Sequence, residues 1–167
     1  MSFSSFNVAT YRPRDVVMSF GGYVITDWQS ISMARNSKMY TQYKGIGGKN
    51  TRVYNSDRSC TIKVKVLQTG MANSIMSEVV RQDDLTRSAR LELIIKDNSG
   101  DSLFTTTTAY ITGYPDIGYS EGFEWREWEV LCDDYNDFVV SGNDRPDSPL
   151  LDAITSGIGK VGDFFSK

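Results

Sequence analysis

Apolar and polar residues alternate along most of this chain, most clearly in "SCTIKVKVLQ". Cys60, Ile62, Val64 and Val66 fall on one side there, and Thr61, Lys63 and Lys65 on the other, as a half-buried strand requires. Shorter alternations precede it. "VVMSFGGYVIT" predicts two strand pieces turning at Gly21-Gly22, where positive φ costs little. "SISMARN" alternates through Ile31, Met33 and Arg35, and "KMYTQYK" through Met39, Thr41 and Tyr43. Further on, "RLELIIKDNSGDSLFTTTTAYIT" reads as a hairpin turning at Asn98-Ser99-Gly100, and "GFEWREWEVLCDD" as a last long strand.

The period changes once, in "GMANSIMSEVVRQDD". Met71, Ile75 and Val79 recur every four residues with Ala72, Met76 and Val80 beside them, an apolar stripe suited to packing on a sheet. Asp83-Asp84 would oppose the dipole at a helix C-terminus, so a helix over about 72–82 is expected. After about Asn143 the pattern lapses into "SGNDRPDSP", which is linker chemistry. The chain is therefore divided into a β domain, 1–143, and an extension, 144–167. In the extension Leu151, Ile154, Ile158, Val161 and Phe165 recur at helical spacing and form a candidate docking face. Gly157, Gly159 and Gly162 each cost about 1 kcal/mol in a helix interior. The segment is either a mobile tail or one that orders against a partner.

Composition narrows the function classes. At 167 residues and 40% hydrophobic, the chain suits one domain with its own core. A net charge of −3 argues against a sequence-independent nucleic-acid binder, which needs a basic face. There is no histidine, which removes Ser-His-Asp, Cys-His and His-metal schemes. Cys60 and Cys132 are far apart inside strand-like runs and are expected as buried free thiols. No run reaches the ~20 apolar residues of a membrane-spanning helix, and no signal peptide is evident, so folding in a cytoplasm is expected.

The candidate chemistry does not hold together. "YKGIGGKN" has Gly48-Lys49 but Asn50 where a phosphate loop needs Ser or Thr, and Tyr43 where it needs its first glycine. Glu127 and Glu129 would share a strand face as a carboxylate pair, yet such pairs are common on exposed faces. "DDYND" lacks the glycine and closing glutamate of an EF-hand. No catalytic, cofactor or metal residue is expected, and no enzyme activity.

The order of "YRPRDVVMSFGGYVITDW", "NTRVYNSDRSCTIKVKVLQT", the helix, "LELIIKDNSGDSLF" and "SEGFEWREWEVLCDD" over 11–143 resembles the tail tube proteins of contractile-tailed phages. The resemblance implies a two-sheet β-sandwich with one packed helix, six copies closing into a ring with a shared β-barrel, and rings stacking into a tube inside a sheath. Partners would be other copies, the sheath protein, baseplate or initiator and terminator proteins, and DNA passing through the lumen without specific binding. The place would be the virion tail, assembled in the host cytoplasm. By position, the loop at 43–58 would reach the neighbouring ring, through Lys44, Gly45, Gly47, Gly48, Lys49, Arg52, Asp57 and Arg58. The rivals are a monomeric β-sandwich module binding carbohydrate or protein, and a tail terminator or completion protein that forms a single ring.

Overall fold

The computed structural model of the chain describes residues 11–142. Among them, ten strands and one α-helix follow in order: β1 (Val16–Phe20), β2 (Tyr23–Ile25), β3 (Trp28–Arg35), β4 (Tyr40–Lys44), β5 (Asn50–Tyr54), β6 (Cys60–Leu67), α1 (Met71–Thr86), β7 (Leu91–Asp97), β8 (Leu103–Ile111), β9 (Trp125–Cys132) and β10 (Asp137–Val139). One sheet runs β2-β1-β7-β8-β9-β6-β3 with β10 on β8, and β4 and β5 form a second sheet of two strands. Among the described residues the fold is mainly β, with two sheets and one helix as expected, and no barrel closes.

The long sheet makes both layers of a sandwich because β8 changes partners along its length. Residues 103–105 lie between β7 and β10, whereas residues 109–111 pair with β9. The hydroxyls of Thr106 and Thr108 mark the change, both donating to the Asp134 carbonyl at 2.6 and 3.3 Å. Beyond this point the sheet folds back. Trp28, Ile31 and Met33 of β3 then face Val16, Ile95, Phe104 and Phe138 across an apolar groove of about 540 Å³. The core is shared between the layers: Met18, Phe20, Leu93 and Phe104 from one, and Ile62, Val64, Val66, Trp128 and Val130 from the other. At the β1–β2 turn Gly21 and Gly22 have φ of 59° and 86°, the pair of positive values a two-residue hairpin demands.

The helix departs from expectation at both ends. It runs past Gln82 to Thr86, because Asp83 has a local use. The Asp83 carboxylate accepts the Ala89 N–H at 3.0 Å and its carbonyl accepts the Arg87 N–H at 2.6 Å, so the acid fixes the exit turn. Ala72 and Met76 are buried and Val79 and Val80 pack on the core, but Met71, placed on the same stripe, is exposed. The first turn is capped from a distance. Asp27, between β2 and β3, brings Oδ2 to the Ala72 N–H at 3.4 Å. A β-carbon on Gly70 would overlap that oxygen. Asn73 then joins helix to sheet, donating to the Leu67 carbonyl at 2.7 Å and accepting the Trp128 indole N–H at 2.9 Å.

Cys60 and Cys132 are free, buried and directly opposite one another on β6 and β9. Burial pushes the Cys60 thiol up to about 12 and raises Cys132 as well. Since the thiolate is the reactive form, both should stay unlabelled by Ellman's reagent in the native chain at mildly alkaline pH and react fully in urea. Rapid native-state labelling would contradict this packing.

Candidate assembly interface

The stretch expected as a loop at 43–58 is a hairpin arm. β4 and β5 pair from Tyr40↔Tyr54 to Lys44↔Asn50, and all ten of their residues are exposed. The turn is closed by the Gly45 N–H to the Lys49 carbonyl at 2.9 Å and the Gly48 N–H to the Gly45 carbonyl at 3.0 Å. Gly47 and Ile46 complete the tip, with the Ile46 side chain wholly in solvent. Because side chains alternate, Lys44 and Arg52 share one face with Tyr40 and Tyr54, while Tyr43, Thr51 and Val53 share the other. The Arg52 guanidinium lies 4.3 Å from the centre of the Tyr40 ring, and Tyr40 meets Tyr54 edge-on at 5.6 Å. Lys44, Lys49 and Arg52 have no ion-pair partner among the described residues.

Asp57 and Arg58 belong to the base of the arm and not to its reach. Arg35, at the end of β3, donates to the Asn55 carbonyl at 2.9 Å and to the Asp57 carbonyl at 2.6 Å. Asp57 accepts the Ser37 hydroxyl at 2.7 Å and the Ser59 N–H at 3.0 Å, and the Ser37 bond is the main reason its carboxyl sits below the usual range. Arg58 is engaged within the chain, with Asp134 at 2.5 Å, the Tyr135 carbonyl at 2.7 Å and the Tyr135 ring at 4.2 Å. The expectation that Arg58 pairs with a neighbouring copy therefore does not fit its surroundings. Leu151, Ile154, Ile158, Val161 and Phe165, and the division between 143 and 144, lie outside the described residues.

The solvent face of β6 and β9 accounts for the carboxylate pair. Lys63 stands opposite Glu129 and Lys65 opposite Glu127, with Lys65 Nζ 3.9 Å from Glu127. Each glutamate is one end of a cross-strand charge rung, an arrangement that stabilises a sheet. On β9 the two tryptophans fall on opposite faces: Trp128 is in the core and Trp125 is partly exposed.

A second surface had no strand or helix pattern to announce it. Residues 112–124 connect β8 to β9 without regular structure, and Tyr114, Ile117, Tyr119 and Phe123 are all exposed there. The loop is nevertheless held. Arg126, buried under it, donates to the Gly118 carbonyl at 3.1 Å and lies 5.2 Å from the Tyr119 ring. The Glu124 N–H reaches Gln68 Oε1 at 3.1 Å, and Phe123 packs edge-on against Trp125 at 5.3 Å. The available signal was large apolar side chains set among Gly, Pro and Ser with neither period, since such residues have no buried face to occupy.

Known proteins give these surfaces a context. The chain is 30% identical over 159 residues to structural protein ORF10 of Pseudomonas phage KPP10, which covers 89% of this chain and 91% of that protein. No protein-family model matches. Its fold is similar to that in the tail of an empty gene transfer agent particle refined with C6 symmetry (TM-score 0.56, 12% identity, 78% of this chain and 100% of that one). It is similar as well to a chain of the sheath–tube complex of an extracellular contractile injection system in its extended state (0.55, 15%, 83% and 99%). A third likeness is to the tube-terminating cap of the anti-feeding prophage (0.52, 13%, 83% and 100%). The match to the phage protein runs over nearly the whole of both chains, and the chain belongs to the family of phage structural proteins that includes ORF10.

Proposed function

We propose that this chain is the repeating subunit of a phage tail tube. Six copies close into a ring, their edge strands join into one barrel, and rings stack into a hollow tube inside a contractile sheath. DNA passes through the lumen at ejection. Baseplate or initiator proteins start the tube, a terminator ends it, and assembly takes place in the host cytoplasm. The observation that carries this reading is the β4–β5 arm, a two-stranded hairpin with every strand residue in solvent. An isolated hairpin is marginal in water and gains its stability from what it packs on. The open side of β3 adds support: among the described residues its one neighbour is β6, and Ser30 and Ser32 put no charge on the edge. The sixfold symmetry of the gene transfer agent tail with a similar fold and this chain's net charge of −3 both suit a conduit for DNA.

One other reading has an observation of its own. Two of the similar folds come from a tube-terminating cap and a sheath/tube terminator, and a terminator would form one ring and stop. Negative-stain electron microscopy of the purified chain at rising concentration separates the two. Stacked hollow tubes are expected; single rings at every concentration would establish the terminator, and a persistent monomer would count against both.

A further inference from the structure

The arm and the loop over 112–124 are complements. The segment 40–55 carries Lys44, Lys49 and Arg52 and no acidic residue, whereas 112–124 carries Asp116, Glu121 and Glu124 and no basic residue. Each adds exposed apolar groups: Tyr40 and Tyr54 on the face of the arm that carries Lys44 and Arg52, with Ile46 at its tip, and Tyr114, Ile117, Tyr119 and Phe123 on the loop. Asp116 and Glu121 are exposed and have no ion-pair partner among the described residues. Large exposed apolar groups rimmed by charge of one sign mark a protein-contact surface, and here a single molecule carries both halves of one.

The two halves cannot meet within one copy. The arm leaves the sheet where β3 ends and β6 begins, at Arg35 and Cys60, which stands opposite Cys132. The loop arrives at the other end of the same strands, where Leu67 pairs with Trp125 and Gln68 holds the Glu124 N–H. Between them lies the length of β6, eight residues or roughly 23 Å at about 3.3 Å per residue. Surfaces that match but sit at opposite ends of a rigid body join one copy to the next, and the contact repeats without closing.

We infer that the arm of one copy docks on the 112–124 loop of the copy beyond it along the strand direction, lysines and Arg52 against Asp116, Glu121 and Glu124, tyrosines and Ile46 against Tyr114, Ile117, Tyr119 and Phe123. This rests on the arm being the stacking element, as proposed above, and supplies the surface that receives it. The contact is polar in the directional sense: each joint uses an arm from one side and a loop from the other, so the two ends of a stack present different faces.

The test reverses charge on each side in turn. Lys44→Glu with Lys49→Glu makes the arm acidic, and Asp116→Lys with Glu121→Lys makes the loop basic; all four positions are exposed. Stacking is read by sedimentation and negative-stain electron microscopy at fixed salt. Each variant alone should yield subunits or single rings, with pelletable tube reduced at least about tenfold. An equimolar mixture should make tubes again, because the reversed arm fits the reversed loop and the native arm fits the native loop. Normal tubes from the loop variant, or a mixture that stays unstacked, would overturn the inference while leaving the arm as stacking element. Normal tubes from the arm variant would remove the arm reading itself. Should the lysines disturb the loop's own fold, seen as a lowered urea midpoint, Asp116→Asn with Glu121→Gln removes the same charge. The expected result is then a concentration threshold for tubes raised about tenfold, and an unchanged threshold counts against the docking.

Discussion

Replacing Arg52 by glutamate is expected to leave the subunit folded and to abolish stacking. Arg52 is exposed, and within the chain it touches the Tyr40 ring, a cation–π contact worth about 0.5–1 kcal/mol at an exposed site. The eight-stranded sheet and its core do not involve it, so the urea midpoint of unassembled subunits should move little. Assembly multiplies a small term. An exposed ion pair gives about 0–1 kcal/mol, but in the tube proposed above a joint between rings of six would contain six of them. If each gives ~1 kcal/mol and they add, a joint between the proposed rings of six loses about 6 kcal/mol, roughly four orders of magnitude in affinity. Light scattering and electron microscopy over a wide concentration range would read this. Tubes at the wild-type threshold would refute the assignment of the arm to stacking.

The second large effect concerns the fold. Trp128→Ala should destabilise the subunit by about 3–5 kcal/mol, a large part of the ~5–15 kcal/mol that holds a domain together. Trp128 is 1% exposed, the largest fully buried side chain, and its neighbours are fixed in a sheet that cannot collapse into the gap. The change also strands Asn73 Oδ1, which receives the indole N–H and whose amide secures the first turn of α1. Trp128→Phe keeps most of the volume and loses the donor, so it should cost about 1–3 kcal/mol. Equilibrium urea denaturation of both variants separates the packing term from the hydrogen bond. Equal losses would mean that the hydrogen bond, and not the cavity, dominates.

Elements with one buried face were legible in the sequence. Alternation placed β1, β2, β3, β6, the β7–β8 hairpin and β9 because each shows one face to the core, and that asymmetry is what period two encodes. It placed β4 as well, through Met39, Thr41 and Tyr43, although both faces of β4 are in solvent. Its partner β5 was missed. With both faces in solvent, "NTRVY" carries no hydrophobic alternation, and what makes it a strand is register with β4 across the closed turn at Gly45 and Gly48. β10 is three residues long, and its short pairing with β8 leaves almost no local trace. The helix end was misplaced because a dipole argument treats Asp83 as an isolated charge, whereas the Ala89 N–H gives it a partner. As for the site, the arm was located by resemblance and its basic residues by inspection. The chain alone could not say that Arg58 turns inward to Tyr135, nor that the loop over 112–124 lies a strand length away. Those facts depend on pairings such as Cys60 with Cys132, which no local pattern carries.

The handover along β8 has a mechanical consequence. In a sandwich of two separate sheets, a pull across the layers meets only side-chain contacts, which can part like two stacked plates. Here tension applied at β3 passes through β6 and β9 into residues 109–111 of β8, and along that same strand to β7, β1 and β2. The layers share one backbone ladder, and the Asp134 carbonyl ties Thr106 and Thr108 at the hinge of the load path. Neither layer can be peeled away without unzipping the strand common to both, so the subunit bears stress as one continuous ribbon folded over.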